Sequence, residues 1–323
     1  MIRQCHALVA LLPATLLLAA PPALRAQGLP AFAPLNPVSS SRSGVYFLPY
    51  RDPVPGRWKL ETSLDYASAV EYNRLPAADY VLDSELLRMA VELRRDLDAN
   101  TFVSMDAAVG GAYAGFLDGF LDWYHGALGI HMSERAHRPK DQFLYTITLP
   151  GERTINRRRS DLFLQDLRVT LGHRHNARFQ SAVSLTLPTS TGPVGYGRGV
   201  PSVALLNTFR TQLNPGLLFE GSLNGGFTPR HGSLADSERE LFVAASSGLK
   251  LRLWGHQWAY GNLFYHSPYY YDTTLPALDL RELSLDFGVA VATHKGEWRL
   301  GLTEDLEPGG PGIDLVVRLG RTF

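Results

Sequence analysis

The chain has 323 residues, of which 45% are hydrophobic, and its 31 basic and 31 acidic side chains give a formal net charge of zero. This balance argues against nucleic acid as a partner. The only cysteine is Cys5, so the chain beyond it offers no thiol for a disulfide, a thiolate metal site or a cysteine nucleophile.

Residues 1–26 are predicted to be a signal peptide. Arg3 supplies a basic start, residues 7–20 are mostly apolar, and the small Ala26 precedes the expected cleavage site. Prolines interrupt this apolar stretch, which is also short for a membrane anchor. We therefore expect export through the periplasm, with residues 27–56, rich in proline and serine, forming an extended periplasmic lead-in.

From residue 57 onward, apolar and polar side chains alternate. Trp58, Leu60 and Leu64 share one face of the first run, and Lys59 and Glu61 share the other. A period of two is typical of strands and is incompatible with a helix. Similar runs recur up to the final one, residues 313–323. Runs of this kind predict a transmembrane antiparallel β-barrel, all-β in class, with lipid outside and water inside.

The connections predict the number of strands. Short turns alternate with long loops, as in bacterial barrels, and the alternation fails only between residues 113 and 160. Treating 113–160 as one outer excursion that contains a helix gives about twelve strands within residues 57–323. About fourteen are possible if residues 143–149 and a strand near 45–50 both join the sheet. The other interpretation, a soluble β-sandwich, would bury the apolar faces against each other.

Residues 116–130, FLDGFLDWYHGALGI, are the segment with helical periodicity. Asp118, Asp122 and His125 form a polar strip beside an apolar stripe. We interpret this short helix as a plug or latch in or over the lumen, because a barrel of this size needs filling. A ligand or gating role for the three polar residues comes second, and acid–base or metal chemistry third.

The polar faces of the strands supply a candidate lumen lining. Both charge signs occur there, so no ion selectivity is predicted. No catalytic residue, metal or cofactor is predicted either, and the adjacent His266 and Ser267 would point to opposite faces of a strand. The candidate lining residues are Lys59, Glu61, Asp65, Arg88, Glu92, Asp106, Arg168, Asp286, Arg299 and Arg318.

Five segments also carry a resemblance to a known family. The segments are LNPVSSSRSGVYFLPYRDPVPGRW, GFLDGFLDWYH, LTLPTSTGPVGYGRGVPS, SPYYYDTTLPALDL and LTEDLEPGGPGIDL. With these segments the chain resembles the domain of unknown function 3187 family of proteobacterial outer-membrane proteins. The resemblance implies an outer-membrane location and supplies no activity.

These patterns predict an outer-membrane barrel of a Gram-negative bacterium that acts as a narrow or plugged channel for a small solute. The expected partners are outer-membrane lipid, lipopolysaccharide and the outer-membrane assembly machinery. Two alternatives stay open. One is a lipid-modifying enzyme, which needs a nucleophile and a base near the outer rim, and the other is a structural envelope protein with a closed lumen. A non-enzymatic role is favoured.

Overall fold

The computed structural model describes residues 28–43, 47–128, 139–151, 155–157, 160–193, 195–307, 309–313 and 315–323. The predicted signal peptide lies outside these ranges. The described strands, in chain order, are β1 (Trp58–Arg74), β2 (Asp79–Asp96), β3 (Thr101–Tyr113), β4 (Leu144–Thr148), β5 (Ile155–Arg157), β6 (Ser160–Leu164), β7 (Leu167–Arg174), β8 (Phe179–Leu187), β9 (Ser202–Asn214), β10 (Leu217–Phe227), β11 (Leu241–Trp254), β12 (Gln257–His266), β13 (Glu282–Thr293), β14 (Gly296–Asp305) and β15 (Leu315–Thr322).

Twelve of these strands close into an antiparallel barrel, as predicted. The ring runs β1, β2, β3 and then β7 to β15, and it closes where Leu64 of β1 pairs with Leu319 of β15. Both of these side chains are exposed on the outer face. The alternation in the sequence therefore corresponds to an apolar outside and a polar inside.

Strands β4, β5 and β6 lie outside the count of twelve. β4 pairs with the far end of β2, at residues 79–83, and β5 pairs with β4. β6 pairs with the far end of β3. These short strands extend the wall at the rim with the long loops, so residues 143–149 do not form a membrane strand. Of residues 45–50, the described part makes only an isolated bridge, from Phe47 to Phe32.

Exposed aromatic side chains mark the opposite rim, which carries the short turns and, from the predicted topology, faces the periplasm. Trp58, Trp254, Trp298 and Phe323 are each at least 42% exposed. Aromatic rings of this kind sit at the level of lipid headgroups. Trp258, by contrast, is buried among luminal side chains and does not belong to this girdle.

The helices described are α1 (Pro37–Arg42), α2 (Asp118–Leu128) and α3 (Pro276–Asp279), with a 3₁₀ helix at Gly232–Ser237. None of the helices in the described ranges combines the length and apolar character that a membrane-spanning helix requires.

Two glycines allow the wall to pack closely around Tyr260. Gly288 of β13 pairs with Gly301 of β14, and the Tyr260 hydroxyl lies over both. A Cβ at position 288 would lie 2.2 Å from the carbonyl oxygen of Leu300 and 2.6 Å from the Cα of Gly301. Neither backbone atom can move without distorting the sheet.

We predict that Gly288→Ala lowers the free energy of unfolding of refolded residues 28–323 by about 1–3 kcal/mol, the usual cost of overpacking. Gly261→Ala is the matched control, since a Cβ there has no atom within 4 Å. Guanidinium unfolding of both variants in detergent measures the difference. Equal midpoints for the two variants would contradict the packing described here.

Candidate functional site

The lumen is occupied by the chain's own N-terminal segment. The described residues of 28–56 run inside the barrel, and Leu29, Phe32 and Phe47 are at most 3% exposed. The ring of Phe32 packs 4.6 Å from that of Phe264 on β12. We name residues 28–56 the luminal segment. Sequence analysis had placed them in the periplasm because an irregular run of proline and serine gives no periodicity that distinguishes the inside of a barrel from solvent.

A luminal glutamate binds both arms of this segment at the end nearer the short turns. Glu220 on β10 is fully buried, and its carboxylate accepts hydrogen bonds from the backbone N–H groups of Leu29 and Tyr50. The antiparallel bridge between Phe32 and Phe47 joins the two arms further up. The segment therefore enters the lumen, turns back and leaves at the same end.

Arg51 of the luminal segment completes an ion-pair network with the wall. Its guanidinium donates to the carbonyl oxygen of Leu29 at 3.0 Å and to Glu61 at 2.8 Å. Glu61 also accepts a bond from Arg299 at 2.6 Å. The charge of Glu61 is thus shared between the segment and the wall.

The network continues along the wall through direct contacts between charged groups. Glu297 accepts bonds from Arg299 at 2.8 Å and from Lys250 at 2.7 Å, and Lys250 also donates to the carbonyl oxygen of Gly28 at 3.4 Å. These side chains are almost fully buried. Buried charges of this kind are tolerated only when they are paired.

A second group of charges lies against the middle of the segment. Arg318 bonds to Asp65 at 2.7 Å and to Asp286 at 3.0 Å, and its guanidinium lies 5.3 Å from the ring centroid of Phe32. Arg88 reaches Asp65 at 3.4 Å and Asp106 at 3.7 Å. Apolar and charged groups of the wall thus both contact the segment.

Helix α1 fixes the segment near the outer rim. The Asn36 side chain accepts a bond from the N–H of Val38, which caps the helix, and donates to Glu71 at 2.7 Å. Ser39 donates to Glu282 at 2.9 Å. Arg42, at the other end of α1, pairs with Glu238 at 2.9 Å. Helix α1 therefore lies inside the barrel as part of the luminal segment.

The outer loops pack into an apolar cluster above the segment. Leu35 and Val38 contact this cluster from below. Tyr196 of the glycine-rich loop lies 5.8 Å from the ring of Tyr145 and 5.3 Å from that of Phe163. The long loops therefore pack against each other and against the upper end of the segment.

Ser43 and His266 meet at the upper end of the luminal segment. The Ser43 hydroxyl oxygen lies 3.1 Å from His266 Nε2, and His266 Nδ1 lies 2.5 Å from the carbonyl oxygen of Ser267. A nucleophile and base would have a similar separation. Ser43 and His266 are, however, 1% and 0% exposed. In this arrangement the contact ties the segment to the wall.

Several cavities lie between the described residues. One of about 290 Å³ opens at the rim with the short turns, beside Arg51, Val54 and Phe323. A smaller one of about 40 Å³ lies beside Phe32, and the two share Glu61 and Glu92. They form a crevice between the segment and strands β1 to β3. Both cavities have room for water.

The third cavity, of about 240 Å³, lies near the outer rim between α1 and the glycine-rich loop. Arg198 borders it, pairs with Asp166 at 3.3 Å and donates to the carbonyl oxygen of Ser43. Burial and the nearby Arg168 lower the pKa of Arg198 to about 10, so the guanidinium stays charged at neutral pH. The Arg198 guanidinium therefore holds the glycine-rich loop against the luminal segment.

The ten candidate lining residues lie on the inner rows of their strands. Eight of them form the ion pairs of the two charge networks or line the cavities beside the luminal segment. Of the other two, Lys59 pairs with Asp96 at 3.1 Å, and Arg168 donates to Thr186 at 3.4 Å. Sequence reasoning missed the partners from the luminal segment, above all Arg51. It also missed Lys250, although the alternation of Leu249 and Leu251 around it was a usable signal.

The predicted plug site lies elsewhere. Asp122 pairs with Lys140 at 2.6 Å, and Asp118 accepts a bond from the N–H of Asp141 at 2.7 Å. The His125 side chain lies outside the described residues. Helix α2 starts on the outer face of the wall, where Phe116 stacks on Tyr66, whereas the sequence predicted a plug or latch in or over the lumen. Across the described residues, no three His, Cys, Asp or Glu side chains come together as a metal site would need.

The fold resembles that of solved outer-membrane barrels. The COG4313 outer membrane channel from Pseudomonas putida F1 is 14% identical, with a TM-score of 0.51 over 84% of this chain and 96% of that one. The translocator domain of the autotransporter NalP from Neisseria meningitidis is 10% identical, with a TM-score of 0.43 over 84% and 90%. The Pseudomonas putida toluene transporter TodX is 9% identical, with a TM-score of 0.40 over 92% and 98%. At these identities the first likeness establishes the fold alone.

Sequence comparison matches part of the chain to a protein family. No curated protein matches the chain significantly. The family described as protein of unknown function (DUF3187) matches at residues 55–191, within the barrel wall and its outer excursion. This match agrees with the family resemblance over those residues.

Proposed function

We propose that this protein is a channel of the Gram-negative outer membrane, closed at rest by its luminal segment, through which small solutes pass when that segment shifts. The observation that carries the proposal is the segment itself, which occupies a barrel whose wall is complete without it. The ring closes through β1 and β15. Movement of residues 28–56 therefore need not break the wall.

The contacts of the segment support a movable closure. The wall holds it largely through side chains, such as Glu220, Glu61 and Glu238, and not as an added strand of the sheet. Each charged hydrogen bond contributes about 1.5–3 kcal/mol. Such contacts can be lost and regained one at a time, whereas a sheet ladder breaks only at much greater cost.

The crevice beside the segment supports passage of a solute. It runs along β1 to β3 past Glu61 and Glu92, with the arginines of the network on its other side. The COG4313 protein, which shares the fold, is itself an outer-membrane channel. Because both charge signs line the crevice, the proposal includes no ion selectivity.

A structural envelope barrel is the second candidate, and the apolar cluster under the outer loops favours it. Tyr80, Tyr145, Ile147 and Leu278 are at most 1% exposed there. Such packing would keep the mouth closed permanently. The two candidates differ in whether weakening the luminal contacts produces conductance.

We predict that Glu220→Ala loosens the luminal segment. The substitution removes the shared acceptor of Leu29 and Tyr50, so amide hydrogen exchange in peptides covering residues 28–52 should accelerate about tenfold or more. Hydrogen exchange of refolded 28–323 measures this. Glu240→Ala is the control, because Glu240 is 42% exposed and lies 3.9 Å from Arg230. Equally fast exchange in the parent protein and Glu220→Ala would show that Glu220 does not hold the segment.

We also predict that Arg51→Ala raises the open probability about tenfold to a hundredfold in planar bilayers, since it removes a charged bond of about 1.5–3 kcal/mol. The parent protein should open rarely. Arg74→Ala is the matched control, because the Arg74 side chain is 56% exposed and pairs with Asp79 on the surface.

Deletion of residues 28–54 provides the limiting case of the same experiment. Steady conductance is expected from this variant, and deletion of residues 116–128 should leave conductance unchanged. Silence from every variant, with circular dichroism showing folded β-structure, would contradict the channel and favour the structural barrel.

A further inference from the structure

We propose that α2 is a membrane-surface anchor that lies among the outer-leaflet lipids, docked on the lipid-facing side of the wall. This inference rests on the outer-membrane location in the proposed function. It assigns α2 a partner, the lipid surface, and a position that differs from the lumen.

The start of α2 is attached to the outside of the barrel. Glu85 on β2 lies two residues before Leu87, in the same outward row as the exposed Met89 and Val91. Its carboxylate accepts hydrogen bonds from the N–H groups of Phe116 and Leu117. A glutamate in a lipid-facing row is costly unless its charge is satisfied. The first turn of the α2 region provides donors for this purpose.

The neighbouring residues allow this attachment. The Tyr66 hydroxyl of β1 also donates to Glu85, and Gly115 adopts a φ of +80° where the chain passes the Glu85 side chain. A Cβ at Gly115 would overlap the Glu85 side chain. Glycine is therefore required here both for its backbone conformation and for the close approach. These contacts leave Glu85 only 1% exposed.

The aromatic face of α2 continues the apolar outer surface. The ring of Phe116 stacks on that of Tyr66, with centroids 5.7 Å apart, and Tyr66 pairs across strands with the outward Val317. Phe116, Phe120 and Trp123 are 71%, 48% and 67% exposed. Phe120 and Trp123 are three residues apart in α2 and so lie on one side of it, and Phe116 comes just before the helix. Exposed aromatic rings beside a lipid-facing wall are typical of the membrane interface.

The polar face of α2 points away from these rings. Asp118 and Asp122 are each two residues from Phe120, about 200° around the helix. Asp122 pairs with Lys140, whose side chain is 59% exposed. A helix with aromatic residues on one side and solvated charges on the other lies in the plane of a membrane surface. The lipid that covers the wall near Tyr66 would also cover Phe116, Phe120 and Trp123.

Site-directed spin labelling tests this position, because residues 28–323 contain no cysteine. The protein is reconstituted in phosphatidylethanolamine and phosphatidylglycerol vesicles, with single cysteines replacing Trp123, Asp122, Leu300 or Lys295. Leu300 is a wall position that is 53% exposed, and Lys295 is exposed in a short turn. Collisions with oxygen report lipid exposure, and collisions with a water-soluble nickel chelate report water exposure.

We expect the oxygen-to-nickel accessibility ratio at Trp123→Cys to be close to that at Leu300→Cys and several-fold above those at Asp122→Cys and Lys295→Cys. A water-like ratio at position 123 with a lipid-like ratio at position 300 would overturn the anchor and leave the barrel intact. Protection of position 123 from both reagents would indicate protein contact and would also overturn it. A water-like ratio at position 300 would show that the membrane location itself fails.

A second substitution tests whether Glu85 holds the start of α2 on the wall. Glu85→Ala, combined with the label at position 123, should make the label more mobile, because α2 loses its acceptor on the wall. Asp83→Ala is the control, since Asp83 occupies the next outward position of β2 and is similarly buried. Equal label mobility in both would show that Glu85 does not hold α2.

Discussion

Pairing of buried charges inside the barrel is the interaction on which the closed lumen depends. Removing a charge from water costs several kcal/mol unless it is paired, and strand alternation places charges along the inner rows of the wall. Glu61 is paired with Arg299 of the wall and with Arg51 of the luminal segment. The segment therefore supplies both the volume that a twelve-strand barrel must fill and a charge that the wall requires. Glu220 adds acceptors for its backbone.

The barrel could be predicted from the sequence because lipid on one side and water on the other force a period of two on every wall strand. Inward positions such as Asp65 and Arg318 follow from the same alternation, and the two residues in fact bond to each other. The strand count followed from the alternation of short turns and long loops, once the excursion after Tyr113 was excluded from the membrane.

The contents of the lumen could not be predicted in the same way. The luminal segment is irregular, and a chain that is buried on all sides shows no periodicity. For α2 the aromatic stripe was visible, but an apolar stripe does not reveal whether it faces a lumen wall or lipid. The useful signal was Glu85, a carboxylate in the same row as Leu87 and Met89. Its meaning depended on the donors at Phe116 and Leu117, which only the folded chain brings to it.

Thiol reactivity tests most directly whether the described residues of the luminal segment lie inside the barrel. Val38 in α1 is 1% exposed, so Val38→Cys in refolded 28–323 should react with a bulky maleimide only after unfolding. Lys295→Cys, exposed in a turn, should react in the folded protein. If Val38→Cys instead reacts as fast as Lys295→Cys while the barrel remains folded, the segment lies outside the lumen and cannot close it.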